Sequence, residues 1–554
     1  MQLEIIIENN GNRKSYEQGT CLQHIADDQL PDTKRSILGA FVNNKLKEMN
    51  YLIYKPKMVR FIDITDPAGK RMYVRSISFV LIKAARKLFP EARVKIEHSI
   101  SKGYYCEFEN FGRKLEVDDV SAIYEEMHKI INSDLPFKRE EKLTTEAIEI
   151  FREHGLEDKV KLLKTRRQLY TSVYYLDGLP EYFYGFLVPS TGYLKVFALN
   201  KYYDGMLLQI PKQSNPTEIH EIILQDKLFG IFQEYKNWVE VIGMSHVGAL
   251  NEAAINGEVA DIIKVNEALQ EKKLSKIADQ IHSRTQQPRL ILISGPSSSG
   301  KTTFSKRLAI QLKVLGYKPV TISLDNYFVN REDTPLDENG EYDFENIEAL
   351  DIEFFNQQLL DLFAGKKIEL PRFSFEKGKR FFNGDYMQID DQTFVIVEGI
   401  HGLNPNLTPR IPADQKYKIY VSALTALCMD SHNRIPTTDN RLLRRIVRDH
   451  QYRGYSATET LKRWGSVTRG EAKYIFPFQE EADSMFNSAL IFELGVLKKY
   501  AEPILQEVFP DEPEYAEANR LLKFFRYISP ISDDEIPPTS ILREFLHGSS
   551  FNYH

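Results

Sequence analysis

The spacing of apolar residues along the chain differs from region to region, and each spacing predicts a different kind of secondary structure. Residues 3–8 follow the alternation of a strand with one buried face. Residues 71–90 are helical by pattern and end at Pro90, with apolar side chains at Ile77, Val80, Leu81, Ala84 and Leu88. From Leu290 to about 508, short apolar runs alternate with helical periods. That pattern indicates an α/β fold whose parallel sheet is covered by helices on both faces.

These patterns divide the chain into segments. A small mixed unit at the N-terminus combines the first strand with a helix around 21–28 and strands at 39–42 and 58–64. Short strands and two helices follow up to about 165, and further strands are predicted around 172–175, 192–198 and 206–209. Residues 249–285 predict a helical connector. The expected boundaries are 1–62, 63–240, 241–288, 289–508 and a tail over 509–554 with an apolar helix candidate at 521–525.

The most specific chemical motif lies directly after the apolar run 290–293. Residues 295–302 read Gly-Pro-Ser-Ser-Ser-Gly-Lys-Thr and fit the phosphate-loop pattern G-x-x-x-x-G-K-[ST]. Backbone N–H groups of such a loop wrap phosphates, and the helix that follows points its N-terminus at the anion. The sequence therefore predicts an ATP site formed by Gly295, Pro296, Ser297, Ser298, Ser299, Gly300, Lys301, Thr302 and Thr303. Within it, Lys301 is expected to reach the transferring phosphate and Thr302 to ligate Mg²⁺.

Two acidic residues each follow a predicted buried strand. Asp325 comes after 320–324, and we expect it to act as general base for an acceptor hydroxyl and to share in the magnesium shell. Glu398 ends the apolar run 394–397 and is a candidate for the magnesium site, with Gly399 permitting close approach. The alternatives are a loop-capping aspartate and a solvated turn.

Four arginines fall at helical spacing, at positions 441, 444, 445 and 448. This spacing places their guanidinium groups along one helix face, with no acidic residue between 441 and 448. We expect Arg441 and Arg445 to act on the transferring phosphate and Arg444 and Arg448 to bind ATP, as a lid; a solvated charged face is the alternative. Arg453, Arg469 and Lys473 are further candidates for this region.

Composition narrows the class of protein but does not identify it. The 554 residues are too many for one core, and their length suggests roughly three or four domains. No apolar run approaches the ~20 residues that span a bilayer, and the N-terminus lacks the pattern of a secretion signal. We therefore expect a cytoplasmic protein without membrane contact. The 3 cysteines do not suggest a disulfide framework, and the net charge of −6 gives no support to a nucleic-acid-binding class.

Several motifs after the phosphate loop resemble uridine kinases, a branch of the phosphate-loop kinases that includes phosphoribulokinase and bacterial pantothenate kinase. The similarity extends over about 290–505 and rests on the segments 320–327, 342–351, 394–399 and 441–449. The resemblance implies that Glu345 accepts both hydroxyls of a ribose diol. It also implies an acceptor pocket that includes Asp325, Tyr327, Phe373, Phe375 and Arg380. The family's base-reading segment, approximately Y-D-F-x-x-H, is replaced here by Phe373-Ser374-Phe375-Glu376-Lys377-Gly378, and the two aromatics are equally explained as core.

The N-terminal half is similar to the front of threonyl-tRNA synthetases. The resemblance implies a ubiquitin-like (β-grasp) TGS domain over about 1–62 and an α+β second additional domain over about 63–240, carried by the segments 88–90, 98–108, 134–140 and 188–192. The editing site of those enzymes needs H-x-x-x-H and C-x-x-x-H, whereas the aligned positions here are Arg75, Phe79, Phe183 and Leu187. This half is therefore expected to be a scaffold or a binding module.

These observations predict an ATP- and Mg²⁺-dependent kinase of a small hydroxylated metabolite. A nucleoside phosphorylated at its 5′-hydroxyl is the leading substrate, with uridine first. A kinase of another alcohol, similar to phosphoribulokinase or pantothenate kinase, is the alternative within enzymes. From a different class, the chain could be an RNA- or tRNA-sensing regulator, although the near-neutral charge of the N-terminal half does not favour RNA contact. We also expect a homo-oligomer.

Overall fold

The computed structural model describes the chain except for Lys34, residues 285–288, 338, 339, 341, Phe375 and His554. The last residues of the predicted connector and the predicted pocket residue Phe375 thus lie outside the described residues. Within the described ranges no helix is long and apolar enough to cross a membrane.

The first unit is a five-stranded sheet in the order β2-β1-β5-β3-β4. Its elements are β1 (Gln2–Ile7), β2 (Arg13–Glu17), α1 (Leu22–Gln29), β3 (Gly39–Val42), β4 (Lys45–Lys47) and β5 (Lys57–Ile62). β1 pairs in parallel with β5 and antiparallel with β2. Leu3, Ile5 and Ile7 of β1 share a buried core with Leu22 and Ile25 of α1, so the predicted alternation is confirmed. This is the β-grasp arrangement expected from the sequence.

The second unit is α+β. Its elements are α2 (Pro67–Leu88), β6 (Arg93–Ile100), β7 (Gly103–Glu109), α3 (Val117–Asn132), β8 (Phe137–Leu143), α4 (Thr144–Glu153), α5 (Glu157–Thr165), β9 (Tyr170–Leu176), β10 (Leu179–Glu181), β11 (Ala198–Tyr202) and β12 (Gly205–Gln209). One sheet has the order β11-β12-β7-β6 and the other β10-β9-β8. The buried face of α2 contributes to a core between these layers.

Two expectations for this unit were wrong. Three helices replace the predicted two, because Gly155 adopts a positive φ of 70° and separates α4 from α5. The predicted strand 192–198 is a short 3₁₀ turn at Thr191–Tyr193 followed by irregular chain, and β11 begins only at Ala198. The N–H groups of Thr191 and Gly192 bond to Leu135 O and to the Asp134 carboxylate, so they are not available to a sheet.

Helices connect this unit to the C-terminal one. They are α6 (Asp226–Val241), α7 (Val247–Asn256) and α8 (Val259–His282). The connector thus begins earlier than predicted and breaks at Gly257, whose φ of 79° ends α7.

The C-terminal unit contains a five-stranded sheet in the order β14-β19-β13-β20-β23 whose neighbouring strands are all parallel. Its elements are β13 (Leu290–Ser294), α9 (Lys301–Val314), β14 (Val320–Ser323), α10 (Ile352–Phe363), β15 (Ile368–Glu369), β16 (Arg372–Ser374), β17 (Lys379–Phe381), β18 (Tyr386–Met387), β19 (Val395–Glu398), β20 (Lys416–Ser422), β21 (Cys428–Asp430), β22 (Asn433–Arg434), α11 (Thr437–Arg453), α12 (Ala457–Tyr474), β23 (Ser484–Asn487) and α13 (Glu493–Gln506). All five residues of β13 are buried, as expected for a central strand covered on both faces. The predicted fold class is confirmed.

The chain after α13 packs against both halves of the molecule. α14 (Tyr515–Phe525) contains the predicted apolar helix, and a 3₁₀ turn follows at Ile541–Glu544. Arg71 of α2 pairs with Glu517 at 3.1 Å, and Tyr182 hydrogen-bonds Tyr527. The tail is therefore an integral part of the fold.

A buried ionic network also joins the two halves. The ammonium of Lys159 lies 2.8 Å from carboxylate oxygens of both Glu181 and Asp430, and all three side chains are buried. His432 of the β21–β22 hairpin hydrogen-bonds Glu181 at 2.6 Å. Such a network is costly to break, because removing one partner leaves a buried charge unpaired.

Candidate active site

The loop between β13 and α9 has the backbone that the motif requires. A Cβ added to Gly295 would lie 1.9 Å from the carbonyl oxygen of Val421, so only glycine fits there. Gly300 has a φ of 83° and caps α9. Ser298 adopts a φ of 58°, which is uncommon for a non-glycine residue and marks a tightly held turn. The backbone at the N-terminus of α9 is thus shaped to receive an anion.

Lys301, Asp325 and Glu398 meet at the carboxyl end of the sheet. Register aligns Ser323 of β14 with Glu398 of β19, so Asp325 and Glu398 leave neighbouring strands at one edge. A Cβ on Gly399 would lie 2.6 Å from Leu324 Cβ, which shows how closely these two strand ends approach. The structure thus brings three of the predicted site residues, Lys301, Asp325 and Glu398, to one end of the sheet.

Desolvation by the cleft walls governs the charges there. It raises the pKa of Glu398 to about 7, with Lys301 opposing the shift and Asp325 adding to it. The Asp325 side chain is accessible to solvent, yet the surrounding protein lowers its solvation and raises its pKa. Lys301, Arg453 and Arg448 are the cations that oppose this rise. Negative charge in the cleft is therefore balanced by nearby cations.

The donor set fits a magnesium ion held jointly with phosphates. The Thr302 hydroxyl donates to Glu398 Oε1 at 3.4 Å, and the carboxylate of Asp325 lies nearby. Mg²⁺ commonly takes one or two protein oxygens and completes its shell with water and phosphate oxygens. No group of three or more His, Cys, Asp or Glu side chains suited to a metal occurs among the described residues.

Two of the four arginines on α11 do not face an open anion site. Arg441 pairs with Glu471 of α12 through contacts of 2.5 and 2.7 Å, and Arg444 pairs with Glu493 of α13 at 2.8 Å. Both arginines are buried, at 1% and 0% exposure. The sequence predicts that Arg441 acts on the transferring phosphate and that Arg444 binds ATP. In the structure both guanidinium groups are instead buried against carboxylates supplied by other helices, which the sequence of α11 does not show.

These two arginines instead brace the phosphate loop. Arg441 Nη1 donates to Ser297 O at 3.0 Å, and Arg444 Nη1 donates to Ser298 O at 3.4 Å. The carboxylate of Glu471 also accepts the N–H of Ser297 at 2.9 Å. Carbonyls and one N–H of the loop are thereby held by buried ion pairs.

The remaining arginines form a cationic cluster beside the loop. Arg445, Arg448 and Arg453 all pair with the single carboxylate of Asp449, at 3.1, 2.8 and 3.3 Å. Arg445 also donates to the Ser297 hydroxyl at 2.8 Å. Burial and the neighbouring arginines lower the pKa of Arg453 to about 10. Three guanidinium groups against one carboxylate leave an excess of positive charge next to Asp325.

The predicted diol contact, Glu345, lies close enough to Asp325 and Lys301 to interact with both electrostatically. A Cβ on Gly470 would lie 2.4 Å from Glu345 Cβ, so α12 presses against this residue. Desolvation raises the pKa of Glu345 to about 7; Glu471 and Asp325 add to the shift, and Arg445 and Lys301 oppose it.

His401 is a neighbouring residue that the sequence analysis did not select. It follows β19 by three residues, is 2% exposed, and has a ring 6.2 Å from that of Tyr474. Burial lowers its pKa to about 4, so the ring is neutral at physiological pH. The only signal in the sequence was a histidine shortly after Glu398-Gly399.

The other predicted pocket residues differ in position. Tyr327 is 1% exposed and its hydroxyl donates to Gln358 at 2.7 Å, so its assignment to the substrate was wrong: a 3₁₀ turn at Leu324–Tyr327 directs it into the core. Phe373 is half-buried on β16, with its ring 5.5 Å from that of Phe328. Arg380 on β17 pairs with Asp351 at 2.9 Å.

The tail also reaches the phosphate loop, which the sequence did not predict. Glu544 Oε2 accepts hydrogen bonds from the N–H of Thr303 at 3.0 Å and from its hydroxyl at 2.8 Å. Ile541 lies close enough to Gly300 that an added Cβ would come within 2.6 Å of Ile541 Cγ2.

In the N-terminal half, the positions of the synthetase editing ligands have become structural. Arg75 donates from Nε to Phe186 O at 3.0 Å. The rings of Phe79 and Phe183 lie 5.6 Å apart in the core, and Leu187 belongs to the same cluster.

Comparison with known proteins agrees with this geometry in the C-terminal unit. Residues 290–491 match the model of the phosphoribulokinase/uridine kinase family. This part of the chain therefore matches that family's model, and the resemblance inferred from its motifs is confirmed.

The N-terminal half matches threonine–tRNA ligases. The ligase of Syntrophomonas wolfei is 29% identical over 187 residues, which are 34% of this chain and 29% of that protein. The ligase of Desulforamulus reducens is 31% identical over 191 residues, or 34% of this chain and 30% of that protein. The chain thus spans less than a third of the length of these relatives.

Solved structures similar to the chain include a possible uridine kinase from Bacillus stearothermophilus, 18% identical, with a TM-score of 0.27 and coverage of 39% of this chain and 98% of that one. Another is a D-glycerate 3-kinase from Cryptococcus neoformans, which is 14% identical with a TM-score of 0.19. The match covers 51% of this chain and 90% of that one.

Proposed function

We propose that the protein transfers the γ-phosphoryl group of ATP, with Mg²⁺, to a small-molecule hydroxyl, and that this is the 5′-hydroxyl of a nucleoside, uridine first. The observation that carries the proposal is the meeting of Lys301, Asp325 and Glu398 at one end of the parallel sheet, with Glu345 within electrostatic reach of Lys301 and Asp325. Phosphoryl transfer depends on alignment and charge neutralisation, and these residues supply both.

Each residue has a distinct role in this proposal. Lys301 neutralises charge on the transferring phosphate, and Asp325 accepts the proton of the acceptor hydroxyl. Thr302, Glu398 and Asp325 would hold Mg²⁺, which when bound neutralises the phosphate oxygens. Arg445, Arg448 and Arg453 place positive charge beside the same cleft. Arg441 and Arg444 position the loop through Ser297 and Ser298.

The carboxylate of Glu345 supports a ribose-bearing acceptor. A carboxylate offers two acceptor oxygens, which suits the two neighbouring hydroxyls of a ribose. Phe373 offers an apolar surface for a base. A pyrimidine held mainly by stacking would be selected weakly, because no buried polar group would be left unpaired by a different base.

A kinase for another alcohol is the second candidate. The excess of guanidinium groups over carboxylates at Asp449 favours an acceptor that itself carries a phosphate, such as ribulose 5-phosphate. RNA contact by the N-terminal half, homo-oligomerisation and a cytoplasmic location stay predictions.

Measuring ATP consumption by the full-length protein tests these candidates directly. The acceptors would be uridine, cytidine, inosine, adenosine, deoxyuridine, ribulose 5-phosphate and pantothenate, each with and without Mg²⁺. We expect Mg²⁺-dependent consumption with ribonucleosides. Turnover with ribulose 5-phosphate or pantothenate alone would favour the second candidate, and no turnover with any acceptor would contradict the proposed function.

A further inference from the structure

The C-terminal turn at Ile541–Glu544 forms a wall beside the phosphate loop. Ile541, Leu542, Phe545 and Leu546 are each 0% exposed and belong to the largest apolar core. The hydroxyl of Tyr452 on α11 donates to Leu546 O at 2.5 Å. The guanidinium of Arg444 lies 5.0 Å from the centre of the Phe545 ring. The backbone of this turn is therefore fixed by packing.

Glu544 projects from this wall onto the start of α9. Its carboxylate binds both the N–H and the hydroxyl of Thr303, the third residue of the helix, and the hydroxyl of Tyr553 hydrogen-bonds the same threonine oxygen at 2.9 Å. In a phosphate loop, N–H groups at this helix end hold the α- and β-phosphates of a nucleotide. A carboxylate thus occupies donors that are suited to phosphate oxygens.

We propose that Glu544 is an intramolecular competitor of the nucleotide, which must release Thr303 before a phosphate of ATP can take the same donors. The side chain is partly exposed, unlike the four apolar side chains of the turn, so it can swing away while the turn remains packed. Its charge also opposes an incoming triphosphate. The inference rests on the proposed function in one respect, namely that the loop binds a nucleotide.

Nucleotide affinity of the full-length protein tests this contact without knowledge of the acceptor. The dissociation constant for MgADP would be measured by calorimetry for the wild type, E544Q and E544A. E544Q keeps the shape and removes the charge, whereas E544A removes both the charge and the hydrogen bonds. The matched control is E535Q, an exposed glutamate on the same segment whose nearest cation, Lys264, is 3.9 Å away.

We expect E544A to bind MgADP about 2- to 30-fold more tightly than the wild type, the range that spans the typical and the largest effects of a carboxylate at a helix N-terminus. E544Q is expected to show a smaller increase in MgADP affinity, and E535Q is expected to bind MgADP as the wild type does. Unchanged or weaker binding by both Glu544 variants, with wild-type unfolding midpoints, would overturn the competitor role and leave the kinase proposal intact. Failure of every protein, wild type included, to bind MgADP or MgATP would overturn both.

Discussion

The carboxylate of Glu471 lies 2.5 and 2.7 Å from the two terminal nitrogens of the Arg441 guanidinium, with both side chains 1% exposed. The same carboxylate accepts the N–H of Ser297 in the phosphate loop. A helix far from the loop in sequence thus sets the loop's shape through one buried ion pair.

Glu471→Gln should destabilise the protein and weaken nucleotide binding together. Removing one partner of a buried ion pair typically costs about 3–5 kcal/mol, because the remaining charge is left unpaired. Urea unfolding and the KM for ATP would be measured, with Glu353→Gln on the exposed face of α10 as control. A variant with wild-type stability and KM would show that the pair does not support the loop.

Asp325→Asn should stop transfer and spare ATP binding. The amide has nearly the shape of the carboxylate but cannot accept the acceptor's proton, so we expect a loss of about 10²–10⁴-fold in kcat. Single-turnover kinetics and nucleotide binding would separate the two effects. Asp391→Asn, whose side chain is 99% exposed, is the control. If Asp325→Asn keeps normal turnover, Asp325 has only a structural role.

The KM for a ribonucleoside should depend on pH through Glu345. Its pKa is raised to about 7, so the group is protonated below that pH and ionised above it. Only the ionised form offers both oxygens to the diol, and KM should therefore fall by up to about tenfold between pH 6 and pH 8. The assay uses saturating MgATP, so that the magnesium site stays filled. A Glu345→Gln variant with the same pH profile would assign the effect to another group.

Selectivity should be stricter for the ribose than for the base. Glu345 offers a diol contact, whereas Gly378 stands where the family's segment carries a histidine. We expect deoxyuridine to be a poor substrate and several ribonucleosides to fall within about two orders of magnitude in kcat/KM. Strict preference for uridine would indicate that other residues, such as Lys377 or Arg380, read the base.

The sequence predicted the parts of the site that are local in the chain. The phosphate loop, Asp325 and Glu398 each follow an apolar strand, and the carboxyl ends of neighbouring parallel strands bring them together. Glu471, Glu493 and Glu544 were not predicted, because each reaches the loop or its arginines from a distant part of the chain. The spacing of residues within α11 carries no information about carboxylates that lie on α12 and α13.

Tyr327 shows a second limit of local patterns. Because Tyr327 comes two residues after Asp325, the sequence predicts that it lies near the acceptor. In the structure, the 3₁₀ turn directs its side chain into the core beside Phe355, with the ring centres 4.8 Å apart. Such a turn changes the direction of a side chain without changing the apolar pattern.

In the proposed reaction, Lys301 neutralises the phosphate during transfer. This role is tested most directly by measuring the kcat of Lys301→Ala with MgATP and the best acceptor of the panel. The control is the kcat of Lys306→Ala, a substitution on the same helix. We predict a loss of at least about 10²-fold in kcat for Lys301→Ala at an unchanged unfolding midpoint, and near-normal turnover for the control. Near-normal kcat in a well-folded Lys301→Ala variant would contradict the kinase function.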